Sequence, residues 1–176
     1  MRQTLATALF VTGLALAAAL GLTGCTGPAR RVATAPPLAP EKAAHVVLTA
    51  MAFLDTPYRR GGNGGGEGSE GFDCSGFTRH VYERSLGLTL PRTAWDQARS
   101  PALLEVGVAH LQPGDLVFFN TLQKAYSHVG IYIGEGRFVH APRPGMAVRV
   151  EEMQGPQGRY WTQRFEGGRR AMAARP

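Results

Sequence analysis

Apolar residues recur at Ala44, Val47, Leu48, Met51 and Leu54, a spacing that predicts an amphipathic helix over 41–54, ending near Asp55 and ahead of the breaker Pro57. Seven glycines crowd residues 61–71, where no period survives and a mobile surface loop is expected. A second helical pattern covers 72–85, with Asp73 placed to cap it and Phe77, Val81 and Tyr82 on or near one face. A short helix is expected after Pro91, running through Trp95 to Ala98. Beyond it the texture shortens to strand-like pieces divided by Gly and Pro: 116–119 after the Pro113-Gly114 turn, 128–133, 137–141 and 148–150. Helices first and strands afterwards predict an α+β fold with an antiparallel sheet. There is no internal repeat.

The amino-terminal pattern is of another kind. Arg2 precedes an apolar stretch from Leu5 to Leu20, interrupted by Gly13 and closed by small residues, as in a secretory signal. Leu22-Thr23-Gly24-Cys25 resembles the bacterial lipobox, in which the cysteine is lipidated and becomes the first residue of the mature protein. Pro28, Pro36, Pro37 and Pro40 follow among small residues and describe an extended tether. The expected organisation is a signal peptide over 1–24, a lipid-anchored tether over 25–40 and one domain over 41–172. Thr26, rather than Asp, follows the anchor, so the resemblance favours the periplasmic face of the outer membrane in a Gram-negative cell.

Composition changes this picture little. The formal charge is +6 and the pI near 9.9, but the cations are scattered, with no dense stripe and no recognition-helix or zinc-finger spacing. A nucleic-acid partner is therefore not expected. The glycine-rich stretch lacks the Gly-Lys-Ser/Thr ending of a phosphate-binding loop.

Cysteine count matters more. With Cys25 consumed by lipid, Cys74 is the single remaining thiol and has no internal disulfide partner. It falls in the first turn of the predicted 72–85 helix, where unpaired N–H groups and the helix dipole favour a thiolate. A buried structural cysteine would fit composition alone equally well. His128 and His140 shift the balance, because they sit on consecutive strand segments that can bring two imidazoles together. Nucleophile, base and orienting group would then be at hand. His45, His80 and His110 fall outside any such spacing.

Taken in order, Thr56-Pro57-Tyr58-Arg59, Asp73-Cys74-Ser75-Gly76-Phe77, Leu90-Pro91-Arg92-Thr93, Leu111-Gln112-Pro113-Gly114-Asp115-Leu116-Val117-Phe118-Phe119, Ser127-His128-Val129-Gly130-Ile131-Tyr132 and Phe138-Val139-His140-Ala141 resemble the successive signatures of the NlpC-type peptidases; the basic end Arg169-Arg170 is compatible. The resemblance implies a papain-like fold, a helix bearing the cysteine packed on a sheet bearing both histidines. It implies hydrolysis of peptidoglycan peptides through a thioester, commonly next to D-glutamate or diaminopimelate. Cys74 is then the nucleophile, His128 the base and His140 the orienting residue. Tyr58 would assist the oxyanion or substrate, and Asp73 and Ser75 would contact substrate. No metal or organic cofactor is implied, and a monomer is expected, held to the membrane by lipid on Cys25. Two rivals share these residues: a Cys-His-His zinc site on a wall-associated scaffold, and lipid acyl transfer or thioester hydrolysis by the same triad.

Overall fold

The computed structural model describes residues 38–64 and 71–172. The signal segment, Cys25 and most of the tether lie outside the described residues. Among the described residues, four α-helices precede or interrupt six strands: α1 (Pro40–Met51), α2 (Cys74–Leu86), α3 (Ala94–Ala98), β1 (Leu103–Val106), β2 (Leu116–Phe119), β3 (His128–Gly134), β4 (Arg137–His140), β5 (Arg149–Glu152), α4 (Arg159–Thr162) and β6 (Phe165–Ala171). One antiparallel sheet holds all six strands in the order β1-β6-β2-β3-β4-β5. The α+β class expected from the sequence is the one observed.

Three expectations need correction. The α1 face that packs is Val46 and Ala50, with Ala43 and Phe53 beside them, while Leu48 is 68% exposed and Ala44 is also in solvent. The segment is apolar almost all round, so two stripes one residue apart satisfied the same period. The folded unit also begins earlier than residue 41. Leu38 is buried in the core, and Pro40 occupies the first turn of α1, where its missing N–H costs nothing. Finally, the described ends of the glycine-rich segment are built into the structure rather than loose. The Gly61 N–H donates to Asp73, the Gly62 carbonyl accepts from the Asp73 N–H, and Asn63 bridges Phe72. Residues 65–70 lie outside the described residues.

The sheet is covered on both faces, which is why Leu116-Val117-Phe118-Phe119 shows no alternation: all four are buried. Leu116 and Phe118, with Val129, Ile131 and Val139, meet Phe77, Val81 and Tyr82 of α2 on one side. Val117, Phe119, Tyr132 and Phe138 meet Met153 and Trp161 on the other. The β6 strand enters between β1 and β2, carrying Arg170 into the interior. There it grips Asp115 through two hydrogen bonds of 2.8 and 2.7 Å, and Asp115 also accepts from the Gln112 N–H. The Tyr82 hydroxyl donates to the adjoining Gly114 carbonyl at 2.6 Å, tying α2 to the start of β2. A charge pair this deep is tolerated because each partner's hydrogen-bonding capacity is largely met.

Candidate active site

The α2 terminus is fixed by Asp73. Its Oδ1 accepts from the Gly76 N–H at 2.7 Å, satisfying one of the orphan donors of the first turn. The same carboxylate takes Arg92 in a two-pronged bond, Nη1 to Oδ1 at 3.0 Å and Nη2 to Oδ2 at 2.5 Å. Arg92 also donates to the Ser75 hydroxyl at 3.0 Å, which in turn donates to Asp73 at 3.2 Å. Asp73 and Ser75 therefore form one cluster with Arg92, and Ser75 is only 5% exposed. Arg92 carried no role in the sequence reading beyond its place in a motif block.

Gly76 permits the close passage of the glycine-rich segment. A Cβ there would stand 1.9 Å from the Gly62 carbonyl oxygen. The Thr56-Pro57-Tyr58 block is hooked on the other side, through Tyr58 N–H to the Met146 carbonyl and Val148 N–H to the Thr56 carbonyl, both 2.8 Å. Tyr58 also bridges Phe72 and so stands beside Asp73 and Cys74. Partial burial pushes its hydroxyl pKa up, and the nearby Cys74 and Asp73 push it further.

Cys74 is the first helical residue of α2 and half-buried. The amide N–H groups of Val129 and Ser75 face its sulfur and pull the thiol pKa down, as does Arg92. Desolvation, followed by the Asp73 charge, outweighs them and lifts it to about 11. Burial thus works against the thiolate that the helix terminus favours. Deprotonation needs a base, and Val129 is the residue next to His128.

His128 and His140 meet edge to face, with His128 Nε2 and His140 Nδ1 2.7 Å apart. The β3–β4 register, carried one step beyond Ile131↔Val139, sets His140 across from Gly130, so the two histidines are diagonal neighbours. Gly130 keeps that corner open: a Cβ there would lie 2.6 Å from the Phe138 ring and 3.1 Å from His140 Cβ. Trp161 stacks on His128 at 5.4 Å and 29° and presents its edge to His140. Burial, with His140 alongside, holds His128 well below the usual histidine range. His140 is lowered too, again chiefly by burial. Burial therefore favours the uncharged form of both rings. Nε2 of His128 is engaged by His140, which leaves Nδ1 as its other ring nitrogen.

Glu151, one strand further on, went unnoticed in the sequence. Its carboxylate lies 3.7 Å from His140 Nε2, too long for a hydrogen bond. It accepts from the Trp161 indole N–H at 2.5 Å and pairs with Arg149 Nε at 3.1 Å. A hollow of about 500 Å³ opens over His128, with Arg143, Glu151, Tyr160 and Trp161 on its walls. A second, of about 480 Å³, lies between α3 and the β2–β3 connection, beside Trp95, Lys124 and Tyr126. Leu122 borders both. Among the described residues, no group of three His, Cys, Asp or Glu is gathered as metal ligands would be. His80, in line with its unremarkable sequence position, packs against Phe53 and Phe72.

A cysteine at the start of a helix packed on an antiparallel sheet, with a bonded histidine pair on neighbouring strands of that sheet, fits the papain-like class of folds. Within it, residues 55–170 match the NlpC/P60 family, and the chain belongs to that family. The chain is 33% identical over 134 residues to murein DD-endopeptidase MepH of Escherichia coli, spanning 75% of this chain and 47% of that one. It is 38% identical over 143 residues to gamma-DL-glutamyl hydrolase of Bacillus subtilis, spanning 81% and 32%. Among solved structures, an NlpC/P60 family protein from Bacillus cereus superposes with a TM-score of 0.64 at 34% identity, covering 78% of this chain and 42% of that one. The match thus spans less than half the length of each of these three proteins.

Proposed function

We propose that this domain is a cysteine peptidase that hydrolyses stem-peptide or crosslink amide bonds of peptidoglycan. The observation that carries the reading is the 2.7 Å bond between His128 Nε2 and His140 Nδ1, which leaves His128 Nδ1 as the base next to the strand residue whose N–H faces the Cys74 sulfur. Family membership supports the substrate class, since the relatives named above act on murein or on glutamyl bonds.

In this mechanism the Cys74 sulfur attacks the scissile carbonyl carbon as its proton passes to His128 Nδ1. The carbonyl oxygen takes the negative charge and is held by backbone N–H groups at the start of α2, with Tyr58 alongside. Collapse breaks the C–N bond, and the departing amine takes the proton from His128. A thioester on Cys74 remains. His128 then removes a proton from water, the hydroxide displaces the thiolate, and the sulfur recovers the proton as the carboxylate product leaves. His140 steadies the His128 ring, and the Asp73–Ser75–Arg92 cluster, set at the foot of α2, meets the substrate's polar groups.

On the same reading, lipid on Cys25 anchors the domain, and the prolines up to Pro37 space it from the membrane, at the periplasmic face of the outer membrane in a Gram-negative cell. A diacyl thioether with a third chain on the amine supplies far more than the marginal binding of a single acyl chain. Mass spectrometry of sacculi digested with the protein tests the enzymatic reading and identifies the bond. New amine and carboxyl ends within stem peptides are expected from the wild type and not from Cys74→Ala. Equal product from Cys74→Ala of native thermal stability would overturn the assignment.

A further inference from the structure

His128, His140 and Glu151 lie on three adjacent strands, β3, β4 and β5. The strand registers place His140 across from Arg149 and Phe138 across from Glu151, so Glu151 is diagonal to His140 just as His140 is diagonal to His128. The three side chains form one oblique line over the Trp161 face of the sheet. Along that line every proton position depends on the next. For His128 Nδ1 to receive the thiol proton, the neutral ring must carry its hydrogen on Nε2. Nε2 then donates to His140 Nδ1, which must present a lone pair. His140 must therefore hold its own hydrogen on Nε2, since a neutral imidazole has one N–H.

His140 Nε2 is fully buried and, among the described residues, has no hydrogen-bond partner within ordinary range, an expensive condition for a donor. The acidic group facing it is Glu151, at 3.7 Å. Trp161 and Arg149 hold that carboxylate, and the side chain is only 24% exposed. We propose that Glu151 is a positioning residue: its negative charge selects the Nε2–H form of His140 and thereby keeps His128 Nδ1 free to act as the base. The inference rests on the functional reading of Cys74 and His128 given above. It adds a carboxylate to the relay, acting through His140 and not on the substrate. The charge that develops on His128 during attack is balanced through the same line. Arg149 opposes this effect from β5, and Arg143 borders the same hollow, so Glu151 works against two cations.

Glu151→Gln separates charge from shape. The amide can turn its oxygen toward either His140 or the Trp161 indole N–H but cannot serve both, because its nitrogen is a donor. Nitrogen-15 NMR of the full chain in detergent micelles reports the histidine tautomers directly. The wild type is expected to show hydrogen on Nε2 of both rings, and Glu151→Gln a mixed population at His140. On one defined muropeptide, kcat should fall about 10–100-fold, short of the ~10²–10⁴-fold of a whole general base, with KM changed less than about twofold. The acid limb of the rate profile should move to lower pH, since the imidazolium loses a counter-charge. Glu151→Asp should recover part of kcat. In a His140→Asn background, Glu151→Gln should cost less than about a further twofold.

An unchanged His140 tautomer in Glu151→Gln would overturn the proposal. So would a rise in KM with kcat intact, which would make Glu151 a substrate contact in the hollow, or a lowered melting temperature with kcat and the acid limb unmoved. A wild type that shows the expected tautomers but cleaves no muropeptide would instead remove the peptidase reading, and the NMR result would still decide the positioning.

Discussion

Replacing Asp73 tests how one side chain sets both the stability of α2 and the acidity of its thiol. Asp73→Ala removes the cap on the Gly76 N–H, worth about 1 kcal/mol. It also strips the Gly61 N–H of its acceptor, at about another 1 kcal/mol. The Arg92 pair adds less, about 0.5 kcal/mol, because the guanidinium side chain is 35% exposed and solvent screens it. The sum is about 2–3 kcal/mol, or a fall in melting temperature of about 6–12 °C for a domain of this size. Asp73→Asn keeps an oxygen for Gly76 but turns an NH₂ toward Gly61 and Arg92, so it should lose about half as much. Chemistry should move the other way. Asp73 raises the Cys74 pKa while Arg92 lowers it, so removing the carboxylate and freeing the guanidinium act in the same direction. The thiol should become more acidic than about 11, and iodoacetamide should alkylate Cys74 faster at pH 8.5 in both variants. Calorimetry and the alkylation rate supply the two measurements. Equal destabilisation by Ala and Asn would refute the capping argument, and slower alkylation in Asp73→Asn would refute the electrostatic one.

Burial keeps His128 well below the usual histidine range, so the acid limb of kcat/KM on a muropeptide should fall below pH 6.5; a limb at or above 6.5 would show a solvated base. The same shifts govern stability. His128 and His140 are both lowered on folding, so the unfolded chain binds more protons as pH drops below about 6.5, and the melting temperature should decline from pH 7 to pH 5. A flat profile over that range would contradict the burial of the two rings. A protein beginning at residue 41 should melt several degrees lower than one that retains Leu38 and Pro40, as differential scanning fluorimetry would show, because it gives up a buried leucine and the first turn of α1.

Much of the site was legible because its parts are local. Asp73 before Cys74 is a cap signal followed by an apolar helical face, and the His128 and His140 segments alternate or run apolar as strands do. What escaped depends on distant partners. The β6 strand reads Phe-Glu-Gly-Gly-Arg-Arg-Ala, with no strand pattern at all. Its arginines are tolerable inside only because Asp115 and the carbonyls of Ala98 and His110 receive them. Gly168 is needed because Leu111 and Val106 crowd its α-carbon. Glu151 was hidden for a similar reason. It follows Val150 in a polar strand end, and only the β4–β5 register reveals what it faces. The two possible α1 faces could be told apart only by the elements they pack on.

The placement of β6 bears on when the fold can exist. The strand nearest the carboxyl end lies between β1 and β2, pairing with both, so the sheet is in two pieces until it arrives. A chain emerging amino end first, from a ribosome or through a membrane pore, must deliver Ala171 before β1 has any neighbour. Such distant pairing slows closure, since the loop entropy is spent before the contacts return it. Arg170 is then the last side chain to lock, and Asp115 waits for it as an unpaired interior carboxylate. The strands that carry the two histidines can pair with each other ahead of β6, but they do so in a sheet whose β2 edge stays open until the whole domain has cleared the aperture.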